Sequence, residues 1–245
     1  MNITILRFDT IGSTNDEAAR QAKLGAPEGL CVVASKQTAG RGRHGRVWVS
    51  EKGSGLYFSI ILRPAIETRF LPLITLMTGI AVHDTLSELG IKPDIKWVND
   101  ILVKGKKISG ILAETVDTPT GLAVVVGIGI NLTSRNFPPE LAATATSIEA
   151  EAAHHQEADV EQRLTGLLSY WYETLSGADG PDEILRNWKR RSTYFSRKPV
   201  RVTTPAGVCE GVTDGLEENG ALRLRTADGT TRVIQAGDVE LLRVL

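Results

Sequence analysis

The pattern of apolar and polar positions divides the chain into two textures. As far as residue 195, short β-rich runs alternate with longer helical ones; beyond it, only short strands separated by turn residues remain. Residues 3–8 and 30–34 read as strands. Between them residues 18–24 (AARQAKL) read as a helix stopped by Gly25. Residues 47–49 and 56–62 (LYFSIIL) are β-branched and aromatic, a strand texture. Residues 71–89 carry Leu73, Ile74, Met77, Ile80, Ala81 and Leu86 near helical period and end at Gly90, which predicts a core helix. Residues 94–103 read as extended, with a turn at Lys104-Gly105 and further strands over 108–114 and 122–130. Two-residue alternation puts Lys107, Ser109 and Ile111 on one face and Ile108, Gly110 and Leu112 on the other.

Residues 136–155, rich in Pro, Ala and Glu, read as loop or irregular helix. Residues 160–175 and 181–191 read as helices, the second opened by Pro181. Five short strands follow at 199–203, 208–212, 221–225, 230–235 and 239–244. Pro205-Ala206-Gly207, Glu218-Asn219-Gly220 and Asp228-Gly229 supply turns. That spacing predicts a small β-barrel. With a boundary near Ser196, the chain divides into a unit of residues 1–195 and one of 196–245.

Charge and cysteine usage narrow the function classes. Lys plus Arg is 28 against 29 for Asp plus Glu, a net charge of -1 over 245 residues, which speaks against a dedicated nucleic-acid binder. Cys31 and Cys209 are far apart in apolar surroundings and read as core residues of a reducing compartment. The N-terminus lacks a charged-then-apolar leader, and no apolar run approaches the roughly 20 residues of a membrane span. A cytoplasmic protein with no membrane partner is the expectation.

Candidate chemistry concentrates in residues 36–48, K-Q-T-A-G-R-G-R-H-G-R-V-W. Gly40, Gly42 and Gly45 alternate with Arg41, Arg43 and Arg46. Glycine lets the backbone approach a ligand closely, and arginine is a fixed fork suited to phosphate or carboxylate. Residues 40–45 also match G-x-G-x-x-G, but that motif cradles a dinucleotide only where a helix opens within it. The following residues are strand-like, so the loop reads as an anion clamp rather than a helix-dipole site. Its glycines and like charges predict mobility without a ligand.

Elsewhere, plainer readings compete. Thr14 with Glu17 forms a capping box, and spacing alone favours that over hydroxyls of Ser13 and Thr14 facing a pocket. His83 has no metal-ligand partner at suitable spacing. Lys104 and Lys106 read as a solvated hairpin tip. Gly110, Gly127 and Gly129 lie within strand-like runs, where glycine marks a bulge or a close approach. Residues 186–201 hold seven basic and no acidic side chains; a solvated helix end is favoured over a nucleic-acid patch.

Taken in order, Ser13-Thr14-Asn15, Gln37 before the Gly40-to-Arg46 loop, Lys96-Trp97-Val98-Asn99-Asp100, Lys107-Ile108-Ser109-Gly110-Ile111-Leu112 and Gly127-Ile128-Gly129-Ile130-Asn131 resemble the biotin protein ligases. The resemblance covers nearly the whole chain. One departure is Val98, where the family has proline; valine is expected to keep an extended backbone with a small loss of rigidity. The resemblance implies an α+β fold: a mixed-sheet catalytic domain similar to class II aminoacyl-tRNA synthetases and lipoate ligases, followed by an SH3-like barrel. It corresponds to the short form without an N-terminal DNA-binding domain, so no DNA partner is expected.

The resemblance further implies ATP and biotin as substrates, Mg²⁺ accompanying ATP, and biotinyl-5′-AMP as intermediate. The acceptor would be a lysine of a biotin carboxyl carrier protein, a subunit of acetyl-CoA carboxylase or of another biotin-dependent carboxylase. Ser13, Thr14, Asn15, Gln37 and Gly110 correspond to the biotin site, which reverses the preference for plain capping at Ser13. Arg41, Gly42 and Arg43 would wrap the carboxylate and phosphate end, Lys107 would bridge biotin and adenylate, and Arg46 would hold pyrophosphate. Asn99 and Asn131 would reach the nucleotide. Trp48 would either wall the ligand or fill the core. Asp100 would orient or deprotonate the incoming lysine. No metal ligands are legible, and homodimers are frequent in the family although no interface is readable. The rivals are a lipoate or octanoate ligase of the same architecture and a nucleic-acid-binding module.

Overall fold

A computed structural model describes residues 1–152 and 157–242. The chain begins with β1 (Thr4–Ile11), α1 (Thr14–Lys23), β2 (Leu30–Gln37) and β3 (Gly55–Leu62), then α2 (Leu73–Glu88). Next come β4 (Asp94–Lys96), β5 (Asp100–Val103), β6 (Lys106–Thr118) and β7 (Gly121–Asn131). The helices α3 (Ile148–Glu151), α4 (Glu157–Leu175) and α5 (Gly180–Arg190) lead to β8 (Ser196–Thr204), β9 (Gly207–Leu216), β10 (Leu222–Arg225), β11 (Thr231–Ile234) and β12 (Asp238–Leu241).

The first seven strands form one sheet in the order β1-β2-β3-β7-β6-β5-β4. Only β1 and β2 run parallel, joined through α1; the remaining neighbours are antiparallel, so the sheet is mixed. On one face Ala18 and Ala22 of α1 pack with Val32, Ile61 and Val125. The other face is covered by α2, with α4 and α5 outside it. Most positions of α2 from Leu73 to Leu86 are buried, with Thr75, His83 and Asp84 the partly exposed exceptions, as expected of a largely apolar core helix. Its first turn also meets the C-terminal sheet, where a Cβ on Gly220 would stand 2.9 Å from Leu76 and 3.0 Å from Leu73. Among the described residues, no helix is long and apolar enough to cross a membrane.

The C-terminal strands form an antiparallel sheet in the order β11-β10-β9-β8-β12. All five expected strands are present. No pairing closes β11 onto β12 among the described residues, so the expected barrel is here a five-stranded antiparallel sheet. The last strand ends at Leu241, and residues 243 and 244 of the expected 239–244 strand lie outside the described residues, as do 153–155 of the expected irregular segment.

Three local expectations are overturned. Residues 94–103 are a hairpin rather than one strand: β4 and β5 pair antiparallel with Lys96 opposite Asp100. Trp97, Val98 and Asn99 form the turn, and the Trp97–Val98 peptide is cis instead of extended. Second, the N-cap of α1 is Ser13, whose Oγ accepts from the Asp16 amide at 3.4 Å, and not Thr14; Glu17 instead pairs with Arg20 and Gln21. Third, pairs Ile101–Ser109 and Leu102–Lys107 leave Ile108 as an extra residue. This bulge reverses the alternation and puts Lys107 on the same side as Gly110, where a Cβ would lie 3.1 Å from Lys107 Nζ.

His83 is half-buried with Nδ1 3.1 Å from Asp84. Asp84 also takes Arg191 at 2.6 Å and the Trp171 indole at 3.1 Å, so part of the basic 186–201 run fastens α5 onto α2. Arg186 and Arg201 are paired with Glu183 and Glu210.

Candidate active site

A cavity of about 580 Å³ lies over β6 and β7, between the start of α1, the Gly40-to-Trp48 loop and β12. Its floor is made of glycines because side chains close directly onto it. A Cβ at Gly127 would stand 2.1 Å from Asn15 Oδ1, one at Gly129 2.4 Å from the Trp48 ring, and one at Gly110 3.0 Å from both Trp48 and Lys107. Trp48 is thus a wall of the cavity, half-buried, rather than a core residue.

At one end Gln37 is gripped from both sides. Its Oε1 accepts from the Thr14 amide at 2.8 Å and lies 3.1 Å from Thr14 Oγ1. Its Nε2 donates to Ser50 Oγ at 2.9 Å, and Ser50 in turn donates to the Trp48 carbonyl at 2.9 Å. The Thr14 amide can only donate and the Trp48 carbonyl can only accept, so the orientation of the Gln37 amide is fixed. One Nε2 hydrogen and the Ser13 hydroxyl hydrogen remain for a ligand, a donor-rich pair suited to a carbonyl oxygen. Asn15 faces the other way: Oδ1 accepts from Ser59 at 2.7 Å and Nδ2 donates to the Leu112 carbonyl and Glu114.

The arginine loop is stapled at its base, where the Trp48 amide donates to the Gly40 carbonyl at 2.9 Å and the Gln37 amide to Ser50 O at 3.1 Å. A Cβ on Gly40 would stand 2.3 Å from the Trp48 carbonyl. His44 (φ 56) and Gly45 (φ 72) turn the tip through left-handed backbone. No helix follows beyond the single turn at Arg43–Gly45, so the dipole reading of the glycine motif fails as expected.

The three arginines hydrogen-bond to different acceptors, although Arg43 and Arg46 both face Asp238. Arg41 makes a fork to Glu114 at 2.9 and 2.8 Å and reaches Asp16 at 2.8 Å. Arg46 pairs with Asp238 at 2.5 Å. Arg43 is mostly buried and donates only to neutral oxygens, Asn99 Oδ1 at 3.0 Å and the Gly237 carbonyl at 3.2 Å, with Asp238 3.9 Å away. Burial pushes its guanidinium below the ordinary arginine range against the pull of Asp238 and Asp100, with Arg46 adding to the push. A desolvated cation with no carboxylate in hydrogen-bonding range is a receptor for an anion.

Facing it, Asp100 lies between Lys107 at 2.6 Å and Lys96 at 3.0 Å. Burial alone would push this carboxyl up; the two ammonium groups outweigh it and hold the group below the usual carboxylate range. Lys107 Nζ also sits 5.4 Å from the centre of the Trp48 ring, within reach of a cation–π contact. Asn131 donates to the Thr146 carbonyl at 3.0 Å, and Asn99 Nδ2 to the Ile111 carbonyl at 2.9 Å.

The residues expected to hold biotin, the nucleotide and the reacting groups all line this cavity, whereas Gly40 and Gly45 of the loop do not. Reading the sequence missed Ser50, Ser59, Glu114, Asp16, Lys96 and Asp238. Lys96 stood inside a motif already quoted, four residues before Asp100. The others carry no local signal, because their partners come from remote parts of the chain.

Comparison with known proteins agrees with this geometry. Residues 8–131 match the model of the biotin/lipoate A/B protein ligase family, and residues 196–242 match that of the biotin protein ligase C terminal domain. The chain is 37% identical over 243 residues to the bifunctional ligase/repressor BirA of Bacillus subtilis, covering 97% of this chain and 74% of that protein. It is 32% identical to the biotin--[acetyl-CoA-carboxylase] ligase of Mycobacterium tuberculosis, covering 95% and 86%. The structure of the biotin protein ligase from Aquifex aeolicus in complex with biotin and ATP superposes with a TM-score of 0.84 at 29% identity, over 98% of this chain and 99% of that one.

Proposed function

This chain belongs to the biotin/lipoate A/B protein ligase family, among the biotin protein ligases, and from that premise we propose how its residues perform the two steps of biotinylation. Biotin and Mg·ATP first give biotinyl-5′-AMP and pyrophosphate. The adenylate then acylates a lysine ε-amine of a biotin carboxyl carrier protein, such as a subunit of acetyl-CoA carboxylase. The observation that carries the reading is Arg43, a buried guanidinium on the cavity wall with only neutral acceptors in hydrogen-bond range.

The chemistry requires such a group. A carboxylate must approach a triphosphate, and two like charges about 4 Å apart repel by roughly 4 kcal/mol at an effective dielectric near 20. Arg43 and Lys107 turn that repulsion into attraction and stabilise charge at the α-phosphate. Arg41 joins them by exchanging a protein carboxylate for the ligand's, and Arg46 contacts pyrophosphate. Ser13 and the free N–H of Gln37 donate to the ureido carbonyl of biotin. Gly110 lets Trp48 and Lys107 close onto β6 beside the ligand, while Asn15 holds the floor rather than the ligand because its amide is already spent. Asn99 and Asn131 line the nucleotide end. With its carboxyl held down by two ammonium groups, Asp100 is a poor proton acceptor; of its two expected roles, orienting the incoming lysine is favoured over deprotonating it.

In this reading residues 1–195 are the catalytic domain and 196–245 an SH3-like domain. The reaction runs in the cytoplasm, where Cys31 and Cys209 stay as thiols. The test is biotin-dependent exchange of radiolabelled pyrophosphate into ATP, together with the mass of a carrier domain incubated with the protein, biotin and Mg·ATP. Exchange with lipoate or octanoate in place of biotin would transfer the protein to the neighbouring ligase class.

Because each arginine of the loop already has its own acceptor, mutual repulsion contributes less to opening than expected; exposure and glycine content remain. Trypsin cleavage after Arg41, Arg43 and Arg46 is expected to slow severalfold when biotinyl-adenylate is bound. Equal cleavage with and without ligand would remove the role of the loop as a flap.

A further inference from the structure

The arginine loop has a fixed point outside the catalytic sheet. Asp238, the first residue of β12, meets Arg46 Nη2 at 2.5 Å and lies 3.9 Å from Arg43 Nη1, while the carbonyl of Gly237 accepts from Arg43 at 3.2 Å. Arg46 and Asp238 are 192 positions apart in sequence. We propose that Asp238 is a positioning residue that latches the arginine loop from the C-terminal sheet, holding it closed over the reaction intermediate. The proposal rests on the adenylate-forming reading above.

Both halves of the latch are firm. On the loop, the Gly42 amide donates to the Arg46 carbonyl at 2.7 Å and the Arg46 amide to the Arg43 carbonyl at 3.2 Å, so the backbone that carries both arginines is closed into one turn. On the sheet, a Cβ at Gly237 would stand 2.8 Å from Val202 and 2.9 Å from the Thr203 carbonyl, which seats the turn before β12 directly on β8. The same strand is paired with β8 from Asp238 to Leu241. An isolated exposed ion pair contributes little. Asp238 is not isolated: its side chain is 22% exposed, and one carboxylate faces two cations of the same loop. The link gives the C-terminal sheet a part in the chemistry without touching the reacting atoms. Loop opening must break it, so it sets how long the mixed anhydride is retained more than how fast it forms.

The experiment compares the wild type with Asp238→Asn and Asp238→Glu. Two rates are read on the full chain: biotin-dependent pyrophosphate exchange, and escape of biotinyl-adenylate followed as biotin transfer to free hydroxylamine. Asp238→Asn is expected to release adenylate about fivefold faster, the scale of one partly exposed ion pair, a larger change than it makes in exchange. Asp238→Glu is expected to restore retention. Raising salt from about 0.1 M to about 1 M shortens the Debye length from roughly 10 Å to 3 Å; it should speed escape from wild type by a larger factor than from Asp238→Asn. In a double-mutant cycle, adding Arg46→Gln to Asp238→Asn should release adenylate no faster than either change alone.

Unchanged escape in Asp238→Asn overturns the latch, even if its melting temperature falls, because the residue would then serve only the sheet. Tighter ATP binding with unchanged escape also overturns it, since Asp238 would then be a stand-in for phosphate. The wild-type exchange assay is the control: its failure removes the adenylate reading itself, whereas success there with an indifferent Asp238→Asn removes only the latch.

Discussion

Replacing Lys107 by alanine is expected to lower biotin-dependent pyrophosphate exchange by about 10²- to 10³-fold, the range for deleting one preorganised donor to a charge that develops during reaction. The ammonium stands in the cavity between Asp100 and the Trp48 ring, beside a glycine that leaves it room. Its stem packs as well as its charge, so alanine alone confounds two losses. Lys107→Met keeps the methylenes on Trp48 and should lose nearly as much exchange as Lys107→Ala while melting closer to wild type. Lys107→Arg is no conservative rescue, since a planar fork does not fit a site shaped for a point charge. Exchange within about tenfold of wild type in both variants would show that the loop arginines alone carry the electrostatics.

The same substitution has a consequence for acid stability. In wild type, Asp100 is held below the ordinary carboxylate range by Lys107 and Lys96 against burial. A depressed carboxyl contributes stability that is present above its unfolded pKa and lost as pH falls through the folded one. Without Lys107 only Lys96 opposes burial, so the folded pKa rises toward the unfolded one and the variant, already weaker above it, has less stability left to lose on acidification. Melting curves over about pH 3 to 6 are expected to lie furthest apart at the upper end and to converge toward acid, with wild type losing the more stability as pH falls. Parallel pH profiles would mean that Lys96 suffices for Asp100.

The parts of the site that could be read from the sequence are those whose partners are local or whose residue types are chemically unambiguous. The arginine loop announces itself, because alternating glycine and arginine has few structural uses. Gly110, Gly127 and Gly129 are equally telling: each marks a contact too tight for a Cβ, and the structure supplies Asn15, Trp48 and Lys107 as those contacts. Long apolar elements such as α2 and β3 follow from burial alone.

What escaped has physical reasons. The turn at Trp97, Val98 and Asn99 has no glycine or proline and carries a buried tryptophan, so its texture is that of a strand. The bulge at Ile108 is invisible in a run where apolar residues sit on both faces, yet it decides which side Lys107 takes. Ser13 and Thr14 exchange tasks, the cap falling to Ser13, because Thr14 is drawn to Gln37 on a neighbouring strand. Asp238, Glu114 and Asp16 are ordinary surface acids until folding sets them against the arginines. Long-range electrostatic pairing is the layer of the site that one sequence hides.

Arg43→Gly tests the other half of the chemistry, containment. Adenylate formation places a reactive mixed anhydride in a cavity whose cover is the arginine loop, and Arg43 ties that cover to the sheet through Asn99 and to the C-terminal sheet through Gly237. Glycine removes both ties and the buried cation, and adds backbone freedom at the tip. Adenylate should still form, more slowly, because Lys107 and Arg41 remain. Its escape should rise by at least about tenfold, the effect of losing a charge-assisted hydrogen bond worth roughly 1.5–3 kcal/mol. Free adenylate acylates amines without regard to sequence, so biotin is expected on lysines of bystander proteins such as serum albumin in the same tube. The measured quantity is the ratio of bystander to carrier biotin, by mass spectrometry, for wild type and variant at matched adenylate production. Lys107→Met is the counterpart, since it should slow both products alike and leave that ratio unchanged. If Arg43→Gly also leaves the ratio unchanged, the arginine serves the formation of the anhydride and has no part in keeping it.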